Sequence, residues 1–334
     1  MRKTLPILLF LMAGAAVTSS THSILRWKQG KDLLLPKGGY GSGFLDGKLI
    51  LAGGTHWKDD KKLWLDEVVA YDPERDKWEN LTPLPKPLAY GASAHKDGVF
   101  YFVGGAGPES AERAGYRLKR EDEKYRWQQF TTLPMDRCYS KAVILKNELF
   151  LVGGGDNVAD LSTASSILLS ASLTEQNSVW KTRSPIPGEG RAVFAAAACN
   201  EKLYVFGGCN ADAGGVRNLA SAYRYDPKLD RWKRLKDTPA PVRAWSASSA
   251  DKRFIFLFAG YSAATPSDPT IPKEGQFEKR VYRYDTVNDA YLEVSPLPYA
   301  NADISFHFFK GVAYGAGGEP KGKARSPWTF IGEF

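Results

Sequence analysis

The chain has 334 residues, 25% of them charged and 43% hydrophobic, with a formal net charge of +8. That mixture excludes a disordered or collagen-like chain and leaves room for a globular fold with a sizeable core. Lysine and arginine are scattered among the acids and no nucleic-acid motif occurs, so the basic balance predicts a solvated surface that favours small anions rather than RNA or DNA.

Residues 1–20 read MRKTLPILLFLMAGAAVTSS. Arg2 and Lys3, the apolar run Leu5 to Val17 and the small residues after it have the layout of a secretory signal peptide, with cleavage expected between Ala15 and Ser20. The run is short for a membrane span, and no cysteine follows it to carry a lipid. Removing Arg2 and Lys3 takes the charge from +8 to +6. The expected product is exported, periplasmic or secreted, without stable membrane insertion. Residues 21–334 are expected to form one domain.

The rest of the chain keeps a beat. In the template stretch, Leu203 to Phe206 is a β-rich run that stops at Gly207-Gly208; Ala222 to Tyr225 then alternates toward Asp226-Pro227, and a third run carries Trp232. Glycine pairs end at Gly54, Gly105, Gly154, Gly208 and Gly318, with Ala259-Gly260 as a weaker copy, giving spacings of 51, 49, 54, 52 and 58. An aromatic marker repeats at Trp27, Trp78, Trp127, Trp180, Trp232 and Tyr291, and a step ending in proline follows each, from Leu35-Pro36 to Leu297-Pro298.

Three features sharing one period six times predict an all-β, six-bladed β-propeller, and the period with its glycine pairs and downstream Trp resembles the kelch motif. The markers are expected to pack blade on blade. Trp27 precedes the first glycine pair, whereas the last pair is followed by one strand, Trp328 to Ile331. The ring is therefore expected to close by a strand near Leu25–Lys28 joining the C-terminal blade, which removes an open edge. Blade five carries a long loop, Tyr261–Lys279, that could fold over one end.

Cys138, Cys199 and Cys209 are too few for a disulfide scaffold; a Cys199–Cys209 bond is geometrically open, but buried thiols are the expectation. His22, His56, His95 and His307 show no paired spacing, so neither a metal nor another cofactor is expected.

In a propeller, the glycine-pair loops and the blade-to-blade loops meet at one mouth of the shaft. The former carry His56 (beside Trp57, a pairing suited to a sugar), Asn157, Asn210, Glu319 and Arg325; the latter carry Asp136, Arg137, Arg191, Arg243, Asn301 and Asp303. Arginines around a shaft would suit a carboxylate, or would cap backbone carbonyls within the blades. The loop Gly317-Gly318-Glu319-Pro320-Lys321-Gly322-Lys323-Ala324-Arg325 is similar to the Gly-Glu…Gly-x-Arg loop of kelch-type N-acetylneuraminate mutarotases, also called N-acetylneuraminate epimerases. That resemblance implies an exported isomerase that interconverts sialic acid anomers, with Glu319 as the catalytic proton-transfer group and Arg325 binding substrate. Arg243, Arg191, Arg137, His56, Asn157 and Asn210 are the further candidates for contact with a small acidic sugar. The alternative is a non-catalytic kelch propeller that binds a glycan or a protein.

Overall fold

The computed structural model describes residues 24–175, 178–262 and 275–334, so the expected signal peptide and most of the Tyr261–Lys279 loop lie outside the described residues. Six four-stranded antiparallel sheets carry the fold. Their innermost strands are Gly41–Leu45, Ala92–Lys96, Lys141–Leu145, Ala195–Cys199, Ser246–Ser249 and Ser305–Phe309, one per blade. Among the described residues, Leu161–Thr163, a single 3-10 turn, is the only helical element.

The aromatic and β-branched residues of each strand face a neighbouring sheet, so among the described residues the sheets share six clusters, each between adjacent blades, and a seventh small one lies under the loops at Ala106, Ala111 and Cys138. Tyr204 and Phe206 of blade four pack with Ile255 and Leu257 of blade five, and Phe258 stacks on Phe306 across blades five and six with ring centroids 4.4 Å apart. Leu49 and Leu51 of blade one share a cluster with Ala316 of blade six. Burying one such large side chain contributes about 1.5–3 kcal/mol, so no blade has a core without its neighbours.

The glycine pairs are the joints. The second glycine of each pair donates its N–H to the carbonyl of the loop entering the next blade: Gly54 to Leu88, Gly105 to Arg137, Gly154 to Arg191, Gly208 to Val242, Gly260 to Asn301 and Gly318 to Lys37, at 2.7–2.9 Å. The last of these closes the ring. A Cβ on Gly104, Gly207 or Gly317 would lie 2.5 Å from one of those carbonyls, and all three have positive φ. In blade five Ala259 takes up the left-handed conformation itself, at φ 61°.

The markers pack as expected. Trp27, Trp78, Trp127 and Trp232 donate from the indole to carbonyls of Ser295, Lys31, Thr82 and Ser184 in the preceding blade, and the Tyr291 hydroxyl does the same to Lys236. Arg26–Gly30 pairs with Thr329–Glu333 as the outer strand of blade six. The closing pair thus runs slightly further toward each strand's C-terminal end than the sequence suggests. Cys138, Cys199 and Cys209 are buried free thiols. No helix among the described residues is long and apolar enough to cross a membrane.

Candidate functional site at the mouth of the shaft

One residue per blade, just before the innermost strand, sits in the left-handed region: Gly39, Tyr90, Tyr139, Val193, Ala244 and Asp303, with φ between 52° and 67°. Their backbones link blade to blade. Tyr90 N donates to Gly39 O at 2.6 Å, Tyr139 N to Tyr90 O at 2.8 Å, Ala244 N to Val193 O at 2.7 Å and Asp303 N to Ala244 O at 3.3 Å. Five of the six are not glycine, a local strain that persists only where the surroundings hold it. These residues rim the mouth.

Two loops stand over one side of that rim. One is the blade-one hairpin Thr55–Lys58 and Lys61–Trp64; the other is the blade-six loop from Gly318 to Ser326. Arg325 ties them together. Its guanidinium donates to Glu319 Oε2 at 2.7 Å, to Thr55 Oγ1 at 2.8 Å and to Thr55 O at 3.3 Å. The Arg325 side chain is 3% exposed, whereas that of Glu319 keeps 25%, so the carboxylate is the accessible half of the pair. Gly38 lets the groups converge: a Cβ there would lie 2.9 Å from Arg325 Nε and 3.1 Å from Asp303 Oδ2.

Asp303 is the residue that sequence reasoning placed at the mouth without giving it a role. Burial pushes its carboxyl up to about 6; Arg325 opposes that shift and Glu319 adds to it. Burial alone would lower the Arg325 pKa, but Asp303 and Glu319 raise it above the usual guanidinium value. An acid that titrates near neutrality beside a fixed guanidinium and a second carboxylate can hold or give up a proton where a bound ligand changes charge. Aromatic rings wall the site. Tyr90 and Tyr139 lie 4.8 Å apart, Trp64 meets Tyr90 edge-on at 5.7 Å, and Lys62 sits 5.4 Å above Trp57. Lys62 and Lys323 add positive charge at the rim, with Lys323 3.3 Å from Asp60.

Of the expected contact residues, only Glu319 and Arg325 come together, with His56 in the adjoining hairpin. Its Nδ1 is 2.7 Å from Pro36 O, which fixes the ring against the entry loop. Arg191 and Arg137 lie elsewhere than expected, and Arg243, Asn157 and Asn210 stand apart from the pair. Arg191 is wholly buried and bonds to the carbonyls of Gly207 and Ser221, both at 3.0 Å, and to Ser221 Oγ at 2.8 Å. Arg137 is buried against Gly154 O and Met135. Both cap blade backbones, and neither can meet a ligand. Arg243 holds Asn218 Oδ1 at 2.8 Å and stacks 4.4 Å over Tyr261, inside the blade-five edge. Asn157 accepts from Ala159 N at 2.9 Å to shape its own loop, and Asn210 reaches Gly190 O at 3.4 Å. The structure also brings His95 and His307 together inside the shaft, with ring centroids 5.7 Å apart, which no spacing in the sequence announces. Among the described residues no cluster of three or more His, Cys, Asp or Glu could hold a metal.

Comparison with known proteins agrees with this architecture. A family model described as N-acetylneuraminate epimerase matches residues 158–311, and a kelch-motif model matches residues 36–85. The epimerase match ends before Glu319 and Arg325. Beta-scruin of Limulus polyphemus is 25% identical over 69% of this chain, and Kelch-like protein 35 of Mus musculus is 26% identical over 75% of it. Kelch-like protein 23 of Homo sapiens is 25% identical over 65% of the chain. The chain spans 25%, 38% and 36% of those three proteins respectively. The chain is a kelch-repeat β-propeller that resembles the N-acetylneuraminate epimerase family.

Proposed function

We propose that the protein is an exported mutarotase that interconverts the anomers of a sialic acid or a related acidic sugar at the mouth of its shaft. The observation that carries this reading is the Glu319–Arg325 pair standing beside Asp303, whose carboxyl titrates near 6. Anomer exchange needs a base to take the anomeric hydroxyl proton and an acid to protonate the ring oxygen as its bond to the anomeric carbon breaks. The open-chain ketone then rotates and the ring hydroxyl adds back on the other face. Glu319, part-exposed and held in place by the Arg325 guanidinium, suits the base; Asp303 can carry the proton for the ring oxygen. Arg325, Lys62 and Lys323 give the mouth a positive field for the sugar's carboxylate, and the aromatic wall gives the ring a face to lie on. Export rests on residues 1–20, whose charge and apolar run have the layout of a secretory leader.

The test is proton NMR of freshly released α-N-acetylneuraminate with and without protein near neutral pH. The expected outcome is faster conversion to the β anomer, reduced roughly 10²-fold or more by Glu319→Gln without loss of the folded ring. The second reading, a non-catalytic kelch module that binds a glycan or protein, draws on the scruin and Kelch-like relatives. It predicts no acceleration at micromolar protein, and saturable glycan or protein binding that survives Glu319→Gln.

A further inference from the structure

Below the rim the shaft widens into a cavity of about 300 Å³ along the innermost strands. Two residues past each left-handed rim position, the six blades carry Gly41, Ala92, Lys141, Ala195, Ser246 and Ser305, of which the last four line the cavity. Five are small. The sixth puts an ammonium into the ring. Lys141 lines both this cavity and the narrow throat at the rim, and no described carboxylate is in ion-pair contact with it. An ammonium held away from bulk water without a contacting anion is costly unless a ligand supplies the charge.

We propose that the shaft is a binding site for a small carboxylate of two or three carbons, anchored by Lys141. The small residues around Lys141 leave room for the anion at that level. Ser246 Oγ accepts from Phe306 N at 2.7 Å, which leaves its hydroxyl proton to donate to the ligand. The charged and titratable groups that share the cavity and throat with Lys141 are His95 on blade two, His307 on blade six, Tyr40, Tyr90 and Tyr139 at the throat and Asp303 at the rim, with Arg325 and Lys62 acting on Asp303 from above. Burial drops the histidines to about 4 and 3, so both are neutral at working pH and do not compete for the anion. Burial likewise lowers the Lys141 pKa, and Asp303, acting across the throat, partly offsets that shift. As pH falls through about 6, Asp303 gains a proton and Lys141 loses the negative charge that acts on it across the throat. Binding of the anion should therefore tighten from pH 7 to pH 5.5. This site is separate from the Glu319–Arg325 pair and does not depend on what sugar, if any, the mouth accepts.

The experiment is isothermal titration of the full-length mature protein with acetate, with pyruvate, and with glycerol as an uncharged molecule of similar size. Saturable one-to-one binding of the two acids, no binding of glycerol, and at least a tenfold loss of affinity in Lys141→Met are the expected results. Ala196→Phe, at a part-exposed position of the cavity wall on blade four, should abolish binding as well; it decides the matter should Lys141→Met not fold. Absence of saturable binding, or affinity unchanged in both variants, overturns the proposal. Mutarotation is read in a separate assay through Glu319, so either idea can fail alone.

Discussion

At the scale of single residues, Asp303 ties the candidate chemistry to stability. Its carboxyl has an ordinary value near 3.8 and is raised to about 6 in the fold. A raised acid binds its proton more tightly folded than unfolded. Between those two values the folded state therefore holds more protons, and stability falls as pH rises through the window. Above about 6 the whole penalty is present, at most roughly 3 kcal/mol for a shift of about two units. Asp303→Asn keeps a residue that tolerates the left-handed backbone and removes the penalty. Thermal unfolding should find the variant more stable than the native protein at pH 7, with the gap closing by pH 4. A variant less stable at pH 7 would mean that the attraction of the Arg325 charge outweighs the burial of Asp303. The same scale explains the arginine corrections. Lys37, Arg137, Arg191 and Asn301 each stand two residues before a left-handed rim residue. Lys37, Arg191 and Asn301 turn their side chains into bonds at the blade joints, and Arg137 is buried there. Sequence alone gives the loop but not which of two neighbouring positions faces the shaft, and that offset separates a backbone cap from a ligand contact.

At the scale of the repeat element, the legible features were those with a steric cause. The glycine pairs recur because a side chain there would strike the entering loop, and the aromatic markers recur because they pack between blades, five of the six reaching the blade before with a polar atom while the Trp180 indole N–H has no partner. Gly208 measures this cost. A Cβ at Gly208 would lie 2.5 Å from Phe194 Cβ and 2.8 Å from Ala192 O, at φ 96°. Gly311, at φ 80°, has nothing within 4 Å of such a Cβ. Gly311→Ala should therefore lose only the backbone preference, about 1 kcal/mol, whereas Gly208→Ala should lose about 3 kcal/mol or more. Chemical denaturation of the two variants compares them directly, and equal losses would show that conformation, not the joint, is what the pair provides. A second device of the repeat went unread. In blades one, four and five an aspartate five residues after a tyrosine accepts from its hydroxyl: Asp76 from Tyr71, Asp230 from Tyr225 and Asp289 from Tyr284, at 2.5–2.7 Å. Each aspartate also accepts from a backbone N–H of the blade before, from Lys31, Ser184 and Lys236. The spacing is present in the sequence, but its purpose is visible only once the blades are side by side.

At the scale of the whole molecule, the ring holds through a segment of few residues. Arg26–Gly30 supplies the outer strand of blade six, and the residues around it reach three blades. Leu25 N donates to Ser295 Oγ at 3.1 Å in blade five, Lys28 pairs with Glu333 at 2.8 Å in blade six, and Lys31 O accepts from the Trp78 indole of blade one at 2.8 Å. The exposed Lys28–Glu333 pair adds little by itself; the closure lies in the strand hydrogen bonds and in Leu25, which is 3% exposed. Removing residues 1–30 would leave Thr329–Glu333 as an open edge and uncover the flank of Trp78, in a chain whose cores all lie between blades. Relative to a protein lacking residues 1–23 only, the 1–30 deletion is expected to unfold at a temperature lower by 10 °C or more, and to associate through the free edge at concentrations where the reference is monodisperse. Calorimetry with size-exclusion chromatography reads both. An unchanged midpoint would mean that the six interfacial cores close the ring without the strand. In that case the carbonyl of Lys37, which receives the Gly318 N–H, would be the joint that matters, and the mouth beside it, with Glu319 and Arg325, would keep its shape.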